Sequence, residues 1–74
     1  MELTIVDRLL ICLVEQPRNV EMAMRTAGYT QEQISEAWRQ ARSSKFTESN
    51  GLGQDRLTEA GRTRGKDLIA SFVQ

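Results

Sequence analysis

Histidine is missing from this chain of 74 residues, and cysteine, proline, tryptophan and tyrosine occur once each. Without histidine the commonest general base is absent. Cys12 lies in an apolar stretch with no base beside it, so it offers no activated nucleophile. A single thiol also excludes an internal disulfide and fits a reducing, cytoplasmic setting. The serines and threonines stand where caps and turns are expected. No residues have metal-ligand spacing, and no glycine-rich loop follows a strand in phosphate-binding form. Gly51-x-Gly53 reads as a turn. No enzyme activity, cofactor or metal is expected. Long apolar runs are also lacking: none reaches the roughly 18 residues of a membrane span. Glu2 and Asp7 stand where a signal peptide would be basic. No membrane partner is expected.

Net charge is zero as well, yet the two halves differ. Up to Ala37 the acids Glu2, Asp7, Glu15, Glu21, Glu32 and Glu36 outnumber Arg8, Arg18 and Arg25. From Trp38 onward Arg39, Arg42, Lys45, Arg56, Arg62, Arg64 and Lys66 outnumber Glu48, Asp55, Glu59 and Asp67. A basic second half is compatible with nucleic-acid binding. The length is that of one small domain spanning residues 1–74. A chain this size buries only about 60% of its unfolded surface, so its stability is modest.

What is present centres on Asn19 to Ser43, which reads as two short helices around a tight turn. Val20, Ala23, Met24 and Ala27 share one helical face. Gly28 is a stop signal, because glycine accepts the left-handed conformation that closes a helix. Thr30 opens the next helix with Gln33 three residues on, a capping box. Ile34, Ala37, Trp38 and Ala41 form its inward stripe. The opposite face carries Glu32, Ser35, Glu36, Arg39 and Ser43, flanked by Gln31, Gln40 and Arg42. Trp38 is expected in the core.

Upstream, Thr4 with Asp7 caps a first helix running to about Gln16, where Pro17 prevents continuation. Ile5, Val6, Leu9, Cys12 and Leu13 make its core stripe. Leu10, Ile11 and Val14 fall largely outside that stripe. Either the last helix covers them or a second copy does, and a homodimer is expected. Asn19 caps the second helix, and Met22 lies off its core face. Downstream, Lys45 to Thr58 reads as a hairpin, with KFTE and DRLT as strands around SNGLGQ. Asn50-Gly51 and Gly53 supply its positive-φ positions. Phe46 and Leu57 are the expected inward residues, and Lys45 and Arg56 point outward. Thr58 caps a last helix to about Phe72, with Gly61, Gly65, Leu68, Ile69 and Phe72 on one stripe. Two glycines on a buried face imply close backbone approach to the hairpin or the first helix.

The fold class is therefore mainly α with a small β-hairpin. The order helix, helix, turn, helix, hairpin, helix resembles the winged helix-turn-helix domains of bacterial transcription regulators. That fold has a three-helix core, a wing and a C-terminal helix. The phrase LTEAGR, Leu57 to Arg62, is similar to the segment leaving the wing in MarR-like and PadR-like regulators and in small phage or prophage winged-helix proteins. The turn Ala27-Gly28-Tyr29-Thr30 with Ile34 fits the helix-turn-helix pattern, and Met24 stands where that pattern prefers alanine. The resemblance implies a DNA-binding transcriptional regulator whose third helix enters the major groove of double-stranded DNA. Gln31, Ser35, Arg39 and Arg42 would then face the groove, with Lys45 and Arg56 meeting phosphates from the wing. Glu32 and Glu36 share that face and repel phosphate unless they accept from cytosine. This leaves a second implied role: a protein–protein interaction module, such as a small phage protein acting on a host complex.

Overall fold

A computed structural model describes residues 3–49, 51 and 55–73, with side chains described as far as Ser71. Four helices and one antiparallel hairpin follow in chain order: α1 (Ile5–Glu15), α2 (Val20–Thr26), α3 (Gln31–Ser43), β1 (Thr47–Ser49), β2 (Asp55–Leu57) and α4 (Glu59–Val73). The fold is mainly helical, as the sequence predicts. The expected glycine turn at Gly51 has φ +83°, whereas Asn50 and Gly53 lie outside the described residues.

α1 is the spine. Thr4 and Asp7 form the expected capping box, and Gln16 closes the helix ahead of Pro17. It packs against α4 most extensively, and also against α3 and α2. Leu9, Leu10, Ile11, Cys12 and Leu13 are all buried, whereas Ile5 and Val6 are half-buried. Of the two covers that the sequence leaves open for Leu10, Ile11 and Val14, the last helix is present: a Cβ at Gly65 of α4 would meet Leu10 O and Val14 Cγ2. α1 is sandwiched between the α2–α3 pair and α4, so apolar residues around more than half its circumference are used within one chain. The apolar surplus that suggested a dimer contact on α1 is thus absorbed; of Ile69, Phe72 and Val73 at the end of the last helix, the other apolar set that suggests a dimer, Ile69 is half-buried and the other two lie outside the described side chains.

α2 closes by a Schellman turn. Gly28 has φ +100°, its N–H donates to Arg25 O, and Tyr29 N–H donates to Met24 O. Val20 and Met24 are buried and Met22 is exposed, as expected. Asn19 occupies the N-cap position, but its side chain makes no capping bond. Thr30 and Gln33 form the full capping box on α3. Ile34, Ala37 and Ala41 are inaccessible to solvent, which lets α3 lie close on α1.

α3 closes by a second Schellman turn that carries no glycine. Lys45 takes the left-handed position at φ +64°; its N–H donates to Arg42 O, and Phe46 N–H donates to Ala41 O. Lys45 and Phe46 are consumed by this turn, so β1 begins at Thr47 rather than at the expected Lys45. Thr47 pairs with Leu57, Glu48 with Arg56 and Ser49 with Asp55. The buried residue of β1 is consequently Thr47, while Phe46 is half-buried against the core. Thr58 ties three elements together. Its N–H donates to Phe46 O, its hydroxyl donates to Lys45 O at 2.7 Å, and its oxygen accepts from Gly61 N–H as the α4 cap. A Cβ at Gly61 would sit 2.0 Å from Phe46 O, and one at Gly65 would sit 2.8 Å from Val14 Cγ2 and 3.1 Å from Leu10 O. Both close approaches inferred from the sequence are present, one to the hairpin entry and one to α1.

Candidate nucleic-acid interface

The exposed face of α3 follows from its amphipathic period: with Ile34, Ala37 and Ala41 inward, Gln31, Glu32, Ser35 and Arg39 are left in solvent and Glu36 is half-buried. Gln31, Glu32, Ser35, Glu36 and Arg39 line a shallow depression of about 350 Å³ on this face. Ser35, the smallest side chain of the set, accounts for its concavity.

Most of the candidate side chains already have partners in the chain. Arg25 of α2 donates to Gln31 Oε1. Arg39 donates to Glu36 Oε2 one turn earlier, and Gln40 Nε2 donates to Glu36 Oε1 at 3.0 Å. The Gln40 hydrogen bond, reinforced by the Arg39 charge, holds the Glu36 carboxyl below the usual glutamate range against a smaller desolvation effect. Arg42 crosses from α3 to Asp55 of β2. Arg56 pairs with Glu48 directly across the hairpin at 3.1 Å. Ser35 and Lys45 are exposed, and no side-chain bond is recorded for either among the described residues.

The six expected positions are thus not one cluster. Gln31, Ser35 and Arg39 share the depression. Arg42 stands apart, lining a second open groove of about 770 Å³ with Trp38, Leu13, Val20 and Asp55. Lys45 marks the end of α3. Arg56 alternates with Asp55 along β2, so the two point to opposite faces of the hairpin. Trp38 is half-buried rather than fully in the core: its ring packs on the cluster from the groove side. The inward stripe brings it against the core, and its other side lines the groove.

Asp55 is the functional neighbour that the sequence did not single out. Its side chain is only 10% exposed, and it fixes Arg42. The signal was available in the strand period, since Asp55 lies two residues from the inward Leu57. Glu36 as partner of Arg39 follows from their i, i+3 spacing. No helix of the described residues is long and apolar enough to cross a membrane, and no group of described acids and thiols could hold a metal. No family model, curated protein or solved structure matches the chain.

Proposed function

We propose that this protein is a DNA-binding transcriptional regulator of winged helix-turn-helix type, with α3 as the recognition helix and the β1–β2 hairpin as the wing. The observation that carries the reading is positional. Arg39, Arg42 and Lys45 stand at or near the C-terminal end of an uncovered helix, and the hairpin begins at that same end. A duplex laid along α3 would meet both elements. In this arrangement Gln31, Ser35 and Arg39 approach base edges, and Lys45 and Arg56 approach phosphates. One copy offers few phosphate contacts, so tight binding is expected from two copies on paired half-sites.

The test is retention of fragmented genomic DNA by the purified protein at 50 and 200 mM salt, a range over which phosphate-driven binding weakens steeply. Arg39→Ala is the clean partner variant, because Arg39 touches only the exposed Glu36 pair. Arg42→Ala would instead strand the nearly buried Asp55 carboxylate. Retention lost in Arg39→Ala, with unchanged thermal unfolding, supports the reading. A specific observation favours a second reading, a protein-interaction module. With Arg39 neutralised by Glu36, the depression is left with the charge of Glu32 and is acidic. That reading expects no duplex retention at 50 mM salt and a co-purifying protein that Arg39→Ala releases.

A further inference from the structure

We propose that Glu36 is a specificity-determining residue of the α3 face, acting with Arg39 as one acceptor–donor unit; this rests on the DNA-binding reading above. The unit reads a cytosine beside a guanine and penalises duplexes that lack that step. Glu36 lines the depression together with Ser35 and Arg39, and it is the half-buried residue of the five that do. Each of its oxygens is used once, by Gln40 and by Arg39. A carboxylate oxygen has two acceptor sites, so each keeps one for a donor from outside. Among base edges in the major groove, the cytosine amino group supplies a donor that a carboxylate can take without competing for acceptors.

Arg39 is correspondingly fixed but not exhausted. One of its five N–H groups is committed to Glu36, and the rest remain for the paired acceptors of guanine. Gln31 is held beside them. Its carbonyl oxygen accepts from Arg25, which leaves its amide hydrogens for a base acceptor. That oxygen keeps a second acceptor site, so a contact to adenine stays open to Gln31 as well. On a duplex without the matching step, Glu36 faces phosphate or carbonyl oxygens and keeps Arg39 from neutralising a phosphate. Its carboxylate is thus a barrier to random sequence as well as an acceptor for the right one.

The experiment compares wild type, Glu36→Gln, Glu32→Gln and Arg39→Ala on a pool of random duplexes, followed by titration of the selected and a scrambled duplex at two salt concentrations. Gln can still accept one bond, but it lacks the charge. Glu36→Gln is expected to bind the scrambled duplex about fivefold more tightly, the effect of removing one like charge at the surface. Its salt slope should steepen by about 0.9 as Arg39 goes to a phosphate. Preference at the selected cytosine should fall by about 5- to 150-fold. Glu32→Gln, an equal charge change on the same face, should raise scrambled binding without flattening that preference. Equal flattening by both variants, or an unchanged preference in Glu36→Gln, overturns the assignment of Glu36 and leaves the regulator reading standing. A wild-type protein that selects no duplex, with Arg39→Ala indistinguishable from it, overturns both.

Discussion

Lys45 holds a backbone conformation that L-residues with a side chain occupy at a cost of about 1–2 kcal/mol. Gly28 fills the equivalent position after α2 without that cost. Lys45→Gly should therefore raise the urea midpoint by an amount equivalent to about 1 kcal/mol. Under the DNA-binding reading the same change removes a phosphate contact, so stability and affinity move in opposite directions. A variant that weakens both would show that the Lys45 side chain packs rather than reaches out. Gly61 behaves in the reverse sense. Glycine-to-alanine ordinarily stabilises a helix by about 1 kcal/mol. Here the added methyl meets the Phe46 carbonyl, which Thr58 N–H also holds. Gly61→Ala should cost near the upper end of about 1–3 kcal/mol in chemical unfolding. Gly65→Ala should cost less, because its nearest backbone atom, Leu10 O, is 3.1 Å away against 2.0 Å at Gly61. Trp38, at the groove wall, should show iodide quenching between that of a buried and a free indole. Burial pushes the Cys12 thiol up, opposed in part by Arg8, so alkylation near pH 8 should proceed only as fast as the chain opens.

At the scale of elements, one ion pair joins α3 to the hairpin and a different kind joins the two strands. Asp55 is nearly buried and Arg42 is largely exposed; Glu48 and Arg56 are both exposed. A double-mutant cycle with Arg42→Gln and Asp55→Asn should give a coupling near the top of the range for surface pairs, about 1 kcal/mol. The Glu48–Arg56 cycle should fall near its bottom. Equal couplings would mean that the hairpin is not latched to α3. The elements themselves were largely legible. Thr4, Thr30 and Thr58 marked helix starts, Gly28 marked a stop, and the paired glycines of α4 foretold close packing. What was not legible had a shared cause. The left-handed turn at Lys45 carries no glycine, so the strand start shifted by two residues. The surplus of apolar residues on α1 left two covers open, α4 or a second copy, and no local pattern decides between them. Arg42–Asp55 joins residues far apart in sequence, and it splits the expected set of interface cations.

For the whole molecule the governing quantity is how many cations a duplex can engage. Net charge is zero, so long-range attraction adds little to short-range contact. Arg39, Arg42 and Arg56 are each held by an acid, and only Lys45 of the four candidate cations is without a recorded partner among the described residues. If those pairs persist on random DNA, each copy neutralises one phosphate, and log affinity should fall with log salt at a slope of about −0.9. On a matched site the fixed base contacts make it favourable for the exposed Arg56–Glu48 pair to exchange acid for phosphate, while Arg39 stays with Glu36 on the base edges. Arg56 can leave Glu48 readily, because both are exposed; Arg42 cannot, because Asp55 is enclosed. The matched slope should accordingly approach about −1.8 per copy, from Lys45 and Arg56, and stop short of about −2.7, the value if Arg42 also reached a phosphate. Titrations of a selected and a scrambled duplex between 50 and 200 mM salt, with the copies per duplex counted by sedimentation, measure both values. Equal slopes on the two duplexes would mean that the ion pairs do not exchange. A matched slope near that three-phosphate value would mean that Arg42 leaves Asp55 and that the hairpin moves on binding.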